Sequence, residues 1–284
     1  MLTECIEPSL ARLKHVEMNK NHRYPGIRPF TFDDKNLFFG RDEDIDNLCQ
    51  MIYLERLVVL YGKSGLGKTS LLNAGVVPKL QQDMDITPYM IRFGSNMEGK
   101  NLTPLQILRE RLATELDTDN YLGNIISNPD ALWYYFKHLQ INSGPEKHFL
   151  LVFNQIDELF TYSDQAIYEF KREIASITNN NIPKSFNNKL RELLENGENA
   201  LTEDQLNLLY LPLNVKIVMA IRSDRMSLLD KFKDYLPDIL QKCYELEPLS
   251  ISQAKMAIIE PAQAEGDFST LPFTYEPTAL RKIL

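Results

Sequence analysis

The sequence predicts an α/β fold in which a parallel sheet is covered by helices on both faces. Short apolar runs rich in β-branched residues alternate with segments of helical periodicity along most of the 284 residues. This alternation is typical of strand–helix–strand units. A glycine-rich segment follows the first apolar run and polar residues follow the later ones, so both fall at the carboxyl ends of strands, where such sheets bind ligands.

Composition and charge narrow the class of protein. The chain is 44% hydrophobic and 25% charged, with a formal net charge of −8, which disfavours a surface built for nucleic-acid phosphates. Its apolar runs are far shorter than the roughly 20 residues that span a bilayer, and its charged N-terminus does not fit a secretion signal. We therefore expect a cytoplasmic protein that binds neither membrane nor specific nucleic acid.

The cysteines indicate no disulfide or metal framework. Cys5, Cys49 and Cys243 lie far apart, without a C-x-x-C pair and without histidines at ligand spacing. We expect all three to be reduced thiols.

The elements of the first half can be placed by periodicity and by prolines. Residues 1–22 are predicted to form a short helix and a linker, and 24–30, with two prolines and a glycine, to form a stiff irregular loop. The helix around Trp133 is expected to pack its aromatic residues in the core. The remaining predictions are a helix carrying Ile45, Leu48 and Ile52, strands at 57–61 and 90–93, a helix beginning at Thr103-Pro104 and a helix at 130–139.

The second half continues the alternation with one interruption. Residues 178–210 contain an asparagine run, a proline and a glycine, and are predicted to be an insertion with short helical pieces at 189–195 and 203–209. Around it, the sequence predicts strands at 149–153 and 215–221 and helices at 163–177 and 228–240.

One segment carries a specific chemical signal. Residues 62–69 read Gly-Lys-Ser-Gly-Leu-Gly-Lys-Thr and match the phosphate-loop pattern G-x-x-x-x-G-K-[ST] between a strand and a helix. Glycines let the backbone N–H groups turn toward a phosphate, and the following helix N-terminus adds positive potential. Lys68 is predicted to reach the β- and γ-phosphates, and the Thr69 hydroxyl to bind Mg²⁺.

ATP or ADP with Mg²⁺ is therefore the predicted ligand. The residues expected to bind its phosphates are Gly62, Lys63, Ser64, Gly65, Leu66, Gly67, Lys68, Thr69 and Ser70.

Several further motifs occur in a fixed order. They are Tyr-Pro-Gly-Ile-Arg-Pro-Phe at 24–30, Phe-Phe-Gly-Arg at 38–41, Leu-Leu-Asn-Ala-Gly at 71–75, Gln155 with Glu-Leu-Phe at 158–160, Arg-Ser-Asp at 222–224, Leu-Ser at 249–250 and Glu-Pro-Ala at 260–262. Together with the phosphate loop they resemble the novel STAND group of P-loop NTPases, over about residues 24–265.

This resemblance implies a P-loop NTPase fold of the ASCE type, followed by the beginning of a helical domain. The expected divisions are a linker at 1–22, an NTPase domain at 23–248 and the start of a truncated helical lid at 249–284. STAND proteins are signal-transduction ATPases that bind ATP, oligomerise and present an effector domain, and many bacterial members act against phage. We expect effector and sensor domains to lie outside this chain, which should be monomeric as isolated.

The resemblance also implies site roles. Phe39, Gly40 and Arg41 would border the adenine and sugar, and Arg222 would contact the γ-phosphate as a sensor. An arginine at a strand end beside the phosphate loop suits charge-assisted bonds to phosphate.

One position departs from the family. Where the family has an aspartate that holds Mg²⁺ through water, this chain has Asn154, whose amide offers an acceptor oxygen but no charge. The expected metal ligands are Thr69, Asn154 and Asp157. Asp157 and Glu158 match the family's following acidic pair and are expected to position the metal and the attacking water; the alternative is that they cap the next helix. Slow hydrolysis is therefore expected.

Three functions remain open from the sequence. The first is an ATP-binding regulatory switch with slow or absent hydrolysis. The second is an AAA+-like DNA-remodelling or loader ATPase, which the negative charge and the 24–30 motif disfavour. The third is a scaffold in which nucleotide stabilises an interaction surface, which partner binding independent of Lys68 would favour.

Overall fold

A computed structural model describes residues 22–94, 102–113, 131–179, 182–195 and 202–284. Within these residues the core is a five-stranded sheet in the order β2-β3-β4-β1-β5. Its strands are β1 (Leu57–Gly62), β2 (Ile86–Arg92), β3 (His148–Asn154), β4 (Val215–Arg222) and β5 (Cys243–Glu245). Every neighbouring pair is parallel, which confirms the predicted sheet.

Helices cover both faces of this sheet. Along β3, Phe149, Leu151 and Phe153 join one buried cluster, whereas Leu150 and Val152 join the other. Because successive strand side chains point to opposite faces, both faces are buried and the strand reads as a continuous apolar run. The helices are α1 (Asp42–Leu54), α2 (Lys68–Ser70), α3 (Val77–Asp83), α4 (Pro104–Ala113), α5 (Leu132–Ser143), α6 (Asp164–Thr178), α7 (Lys184–Glu195), α8 (Glu203–Tyr210), α9 (Ile251–Gln263) and α10 (Pro277–Ile283).

The predicted burial of Trp133 in the core is confirmed. Trp133 is a core residue, 2% exposed, and packs against Phe186 of α7 with ring centroids 5.2 Å apart. Cys49 and Cys243 are free thiols. Cys5 and the expected helix and linker at 1–22, apart from His22, lie outside the described residues. No helix in the described ranges has the length and apolar character needed to cross a bilayer.

The helix predicted at 228–240 is wrong. This stretch is a 3₁₀ helix at Ser223–Phe232 followed by turns. Its apolar side chains are buried nevertheless, including Leu229, Phe232 and Leu236. A spacing of three or four residues suits 3₁₀ turns as well as an α-helix, and Pro237 opposes continuation of an α-helix.

The two edge strands of the sheet, β2 and β5, differ from the prediction in their bounds or in being absent from it. β2 begins at Ile86 rather than near Met90, and it contains Pro88, which edge strands tolerate. β5 was not predicted, because its three residues are too few to show a period.

Candidate nucleotide-binding site

The strand register brings the predicted site residues to one edge of the sheet. Gly62 at the end of β1 lies beside Arg222 at the end of β4, and Ala220 of β4 lies beside Asn154 at the end of β3. A cavity of about 370 Å³ opens there. It is lined by residues 26–30, 64–65, 67–70, 154–155, 157 and 220–222.

The phosphate loop has the backbone that its glycines predict. Gly65 and Gly67 have φ values of 83° and 93°, and a Cβ at either would meet nothing within 4 Å. Glycine is therefore favoured by the left-handed backbone and not by crowding. The Lys68 ammonium donates to the carbonyl oxygens of Gly62 and Lys63 at 2.7 and 2.9 Å. Burial lowers its pKa, and the charge of Asp157 opposes that shift.

The Thr69 hydroxyl donates to the amide oxygen of Asn154 at 3.1 Å. This bond joins the helix after the phosphate loop to the end of β3. Near it, Gln155 Oε1 and Asp157 Oδ1 are buried and have no hydrogen-bond partner among the described residues. Buried acceptors normally have partners, so these two oxygens are suited to a ligand in the cavity.

The donor set around Thr69 fits Mg²⁺. A hydroxyl, an amide oxygen and the Asp157 carboxylate are hard oxygen ligands of the kind that magnesium prefers. Nowhere in the described ranges do three or more His, Cys, Asp and Glu side chains cluster to hold a metal. Bound Mg²⁺ would therefore also need phosphate oxygens and water as ligands.

A turn at Gln155 precedes the two predicted acids, and only one of them reaches the cavity. Gln155 has φ 61° and ψ 53°, which is uncommon for a non-glycine residue. After this turn the chain enters a 3₁₀ helix at Ile156–Thr161. Asp157 lines the cavity, whereas Glu158 does not; its carboxylate lies 3.3 Å from the guanidinium of Arg92 at the end of β2. The structure thus places one acid of the pair at the cavity.

Arg222 lies in the cavity lining, and its side chain is paired with the Asp224 carboxylate. Its Nε and Nη2 donate to the two carboxylate oxygens of Asp224 at 3.0 and 2.8 Å. This bidentate pair leaves other guanidinium N–H groups available, because arginine carries five donors.

A second cavity of about 170 Å³ adjoins the first and is mostly apolar. The two cavities share Phe30, Gly67 and Ser70. An apolar cavity next to a polar phosphate-type site suits a planar base. The second cavity is lined by Phe30, Leu37, Phe38, Phe39, Arg41, Leu66, Gly67, Ser70, Leu249 and Ala257.

The Phe-Gly-Arg motif is distributed around this second cavity. Phe39 and Arg41 belong to its lining, and Gly40 does not. Gly40 has φ 81°, and a Cβ there would lie 2.3 Å from the carbonyl oxygen of Gln253 in α9. Gly40 therefore lets α9 pack directly on the backbone.

Arg41 is a buried cross-link. It is 6% exposed and donates to Asp44 Oδ2 at 2.8 Å, to the Glu247 carbonyl at 2.9 Å and to the Leu66 carbonyl at 3.1 Å. It joins α1, the segment before α9 and the phosphate loop. Its guanidinium therefore bonds to protein atoms in the wall of the second cavity.

Two parts of the site were not predicted. The 26–30 loop, known from sequence only as an irregular segment with a family motif, lines the polar cavity with Arg28. Leu249 and Ala257, next to and within α9, line the apolar cavity. An arginine between prolines in a stiff loop was the available signal for the first. For the second, the family motifs at 249–250 and 260–262 mark the α9 region, but they do not indicate that it lies beside Phe39 and Leu66, because that proximity is long-range in the chain.

One protein family matches most of the chain. A family model described as Novel STAND NTPase 1 matches residues 24–270. No curated protein matches the chain. Among solved structures, the chain is similar to a Walker-type ATPase of Pyrococcus abyssi, with 18% identity and a TM-score of 0.49 over 81% of this chain and 60% of that one.

Two further solved structures are similar to the chain. Cdc6p of Pyrobaculum aerophilum is 14% identical with a TM-score of 0.45, over 86% of this chain and 54% of that one. The ORC2 protein of Aeropyrum pernix, in its ADP form, is 10% identical with a TM-score of 0.39, over 76% of this chain and 50% of that one. The match spans half to three-fifths of the length of these three proteins.

Proposed function

Because the chain belongs to the novel STAND NTPase 1 family, we propose that it is an ATP-binding regulatory switch module with slow hydrolysis. The observation that carries the proposal is the Thr69–Asn154 hydrogen bond of 3.1 Å beside an intact phosphate loop. The loop retains the groups that bind nucleotide, and the adjoining strand end has an amide in place of a charge.

Nucleotide binding is supported by three groups of the polar cavity. The loop glycines orient backbone N–H donors, Lys68 supplies an ammonium next to them, and Arg222 supplies a guanidinium at the neighbouring strand end. Lys68 donates here to two loop carbonyls, and phosphate oxygens would replace these weaker acceptors. The adjoining apolar cavity would hold the base.

Slow hydrolysis follows from Asn154. Mg²⁺, when bound, neutralises charge on the β- and γ-phosphate oxygens. Asn154 orients the Thr69 hydroxyl through its amide oxygen, but it adds no negative charge to hold a divalent cation. Asp157 supplies the nearby carboxylate. We infer that nucleotide binds well and is turned over slowly.

A switch role is supported by contacts between the nucleotide site and α9. Gly40 touches the backbone of α9, and Leu249 and Ala257 contribute to the apolar cavity. A base in that cavity would change the packing of α9 and of the segment after it. We propose that the chain transmits this change to effector or sensor domains, in bacteria and in defence against phage.

Isothermal titration calorimetry with ATP and ADP in the presence of Mg²⁺ tests nucleotide binding. Lys68→Ala should weaken binding roughly tenfold to a hundredfold, because a charge-assisted bond to phosphate is lost. Lys63→Ala is the matched control. It removes the same charge from the same loop, its side chain lines neither cavity, and alanine keeps the backbone N–H through which Lys63 is expected to bind phosphate. Equal affinity of the Lys68→Ala and wild-type proteins would contradict the proposal.

A further inference from the structure

Arg23 anchors the N-terminal end of the 26–30 loop, which lines the polar cavity. Arg23 is 4% exposed, and its guanidinium donates to the Pro261 carbonyl at 3.0 Å, to the Thr270 carbonyl at 3.0 Å and to the Ala264 carbonyl. It also lies 4.4 Å from the centre of the Phe268 ring. These contacts fix the start of the loop on the end of α9 and on the segment after it.

The other end of the loop is fixed on α2 and on the π-helix at Leu71–Val76 that continues it. The Phe30 N–H donates to Ser70 Oγ at 3.1 Å, and the Asn73 side chain donates to the Phe30 carbonyl at 3.2 Å. Both ends are therefore anchored, and the prolines Pro25 and Pro29 restrict the backbone between them. A side chain on this loop is placed at the cavity with little conformational freedom in its backbone.

Arg28 is the cation on this loop, and its guanidinium is already oriented. Nη1 and Nη2 donate to the two carboxylate oxygens of Asp34 at 2.6 and 2.9 Å. Asp34 also accepts from the Thr31 N–H and hydroxyl at 2.7 and 2.8 Å. The bond from Arg28 is the largest of the effects that hold the pKa of Asp34 well below its usual range.

Arg28 retains donors that this pair does not use. Besides Asp34 it donates only to the Pro29 carbonyl, through Nη1, at 3.2 Å among the described residues. Nε–H and one N–H of Nη2 are therefore free of acceptors there. The side chain is 51% exposed and belongs to the cavity lining, whereas Asp34 does not.

Arg222 is a second arginine of the cavity lining that is held by a carboxylate, although it pairs through Nε and Nη2 rather than through Nη1 and Nη2. It lines the cavity, and a carboxylate outside the lining, Asp224, holds it in a bidentate pair. Two guanidinium groups from distant parts of the chain thus face one cavity that contains Lys68 and a single lining acid, Asp157. A polyphosphate is the ligand that such an excess of oriented cations suits.

We propose that Arg28 is a phosphate-binding residue of this site and that it contacts the polyphosphate chain of the bound nucleotide. The proposal rests on the proposed nucleotide binding. Arg28 keeps its bond to Asp34 and uses Nε–H and Nη2–H toward phosphate. The nucleotide is then held by the phosphate loop and by the 26–30 loop together.

The test is calorimetric titration of ATP and ADP into Arg28→Gln, Arg28→Lys and wild-type protein. Arg28→Gln should bind both nucleotides more weakly than wild type, with a loss of affinity of up to about tenfold. Arg28→Lys should fall between, because lysine keeps the charge without the planar fork. The difference between Arg28→Gln and wild type should shrink at high salt, because salt screens a charge-assisted bond to phosphate. Asp34→Asn weakens the same ion pair but keeps the guanidinium, so it should lose less affinity than Arg28→Gln; a purely structural role of the pair would make the two losses equal.

Arg172→Gln is the matched control. Arg172 is a similarly exposed arginine, 55%, paired with the carboxylate of Glu173 on α6 and outside both cavities. Affinities are measured well below the melting temperature of every variant, so that reduced stability does not affect them. The proposal is overturned if Arg28→Gln binds like Arg172→Gln while Lys68→Ala loses affinity; that result leaves the proposed function standing. Absence of nucleotide binding by wild type would instead remove the proposed function.

Discussion

Thr69 and Asn154 are joined by a hydrogen bond of 3.1 Å, from a hydroxyl to an amide oxygen. Thr69 lies in the first turn of the helix after the phosphate loop, and Asn154 ends β3; β4 lies between β3 and β1. The bond keeps the Thr69 hydroxyl oriented without a negative charge nearby on β3. Under the proposed function, nucleotide binding and metal-assisted turnover would depend on different residues and could be separated by mutation.

Lys68 should make nucleotide affinity sensitive to alkaline pH. Burial lowers its pKa, so the ammonium loses its proton at lower pH than an ordinary lysine. Bound phosphate favours the protonated form, so affinity should fall as pH rises through the lowered pKa of Lys68 in the free protein, and binding should take up protons in that range. Calorimetry in buffers of different ionisation enthalpy measures this uptake. Lys68→Arg should keep its affinity at higher pH; parallel pH profiles for the two proteins would argue against Lys68 as the titrating group.

Gly40→Ala should displace α9, whereas Gly26→Ala should only strain the backbone. Both glycines have positive φ, 81° and 75°, but a Cβ at Gly40 would meet backbone atoms of Gln253 and Ala257, and one at Gly26 would meet nothing within 4 Å. The left-handed backbone costs each alanine about 1–2 kcal/mol. The clash should lower the unfolding free energy of Gly40→Ala by at least about 1 kcal/mol more than that of Gly26→Ala in urea titrations. Equal losses of unfolding free energy in the two variants would mean that α9 moves away from residue 40 at no cost.

Lys137 should give the fold a stability that rises with pH. It is fully buried and donates to the Leu208 and Leu211 carbonyls at the end of α8. Burial lowers its pKa to about 8, below the unfolded value of about 10.4. Between these values the unfolded chain binds more protons, so wild type should gain stability with pH relative to Lys137→Met, by on the order of 1–3 kcal/mol. Chemical denaturation at both ends of the range measures it; a pH-independent difference would show that Lys137 keeps its charge.

Asp157 and Glu158 should differ in their effect on turnover. Each of the two acids has one buried carboxylate oxygen without a partner in the described residues, but Asp157 lines the cavity, whereas Glu158 does not and is paired with Arg92. In an Asn154→Asp background, Asp157→Asn should lower the hydrolysis rate by on the order of 10²-fold, and Glu158→Gln by less. Steady-state ATPase assays compare the two. A larger loss from Glu158→Gln would mean that nucleotide rearranges the turn at Gln155.

Local patterns were sufficient to predict the phosphate loop and three of the strands. The motif at 62–69 is continuous in sequence, and β1, β3 and β4 are buried on both faces, so each reads as an apolar run. The order of the strands was not predicted, because alternation of strands and helices indicates a parallel sheet but does not determine which strands are neighbours. The 228–240 helix was wrong because 3₁₀ turns bury the same apolar spacing.

Long-range contacts set the rest of the site. Arg41 bonds to Glu247, and Arg28 reaches the cavity because Arg23 is bound to the segment after α9. Such pairs are more than 200 positions apart in the chain. Which of Asp157 and Glu158 faces the cavity depends on the left-handed turn at Gln155, for which a glutamine gives no signal.

The hydrolysis rate of Asn154→Asp at saturating ATP and Mg²⁺ tests the central claim most directly. The aspartate restores a charge beside Thr69 with nearly unchanged shape, so nucleotide affinity should change little. The rate should rise by at least about tenfold, toward the 10²-fold typical of one preorganised electrostatic group. Adding Lys68→Ala to this variant is the control and should remove the gain. An unchanged rate in Asn154→Asp, with wild type already at an ordinary ATPase rate, would contradict the account.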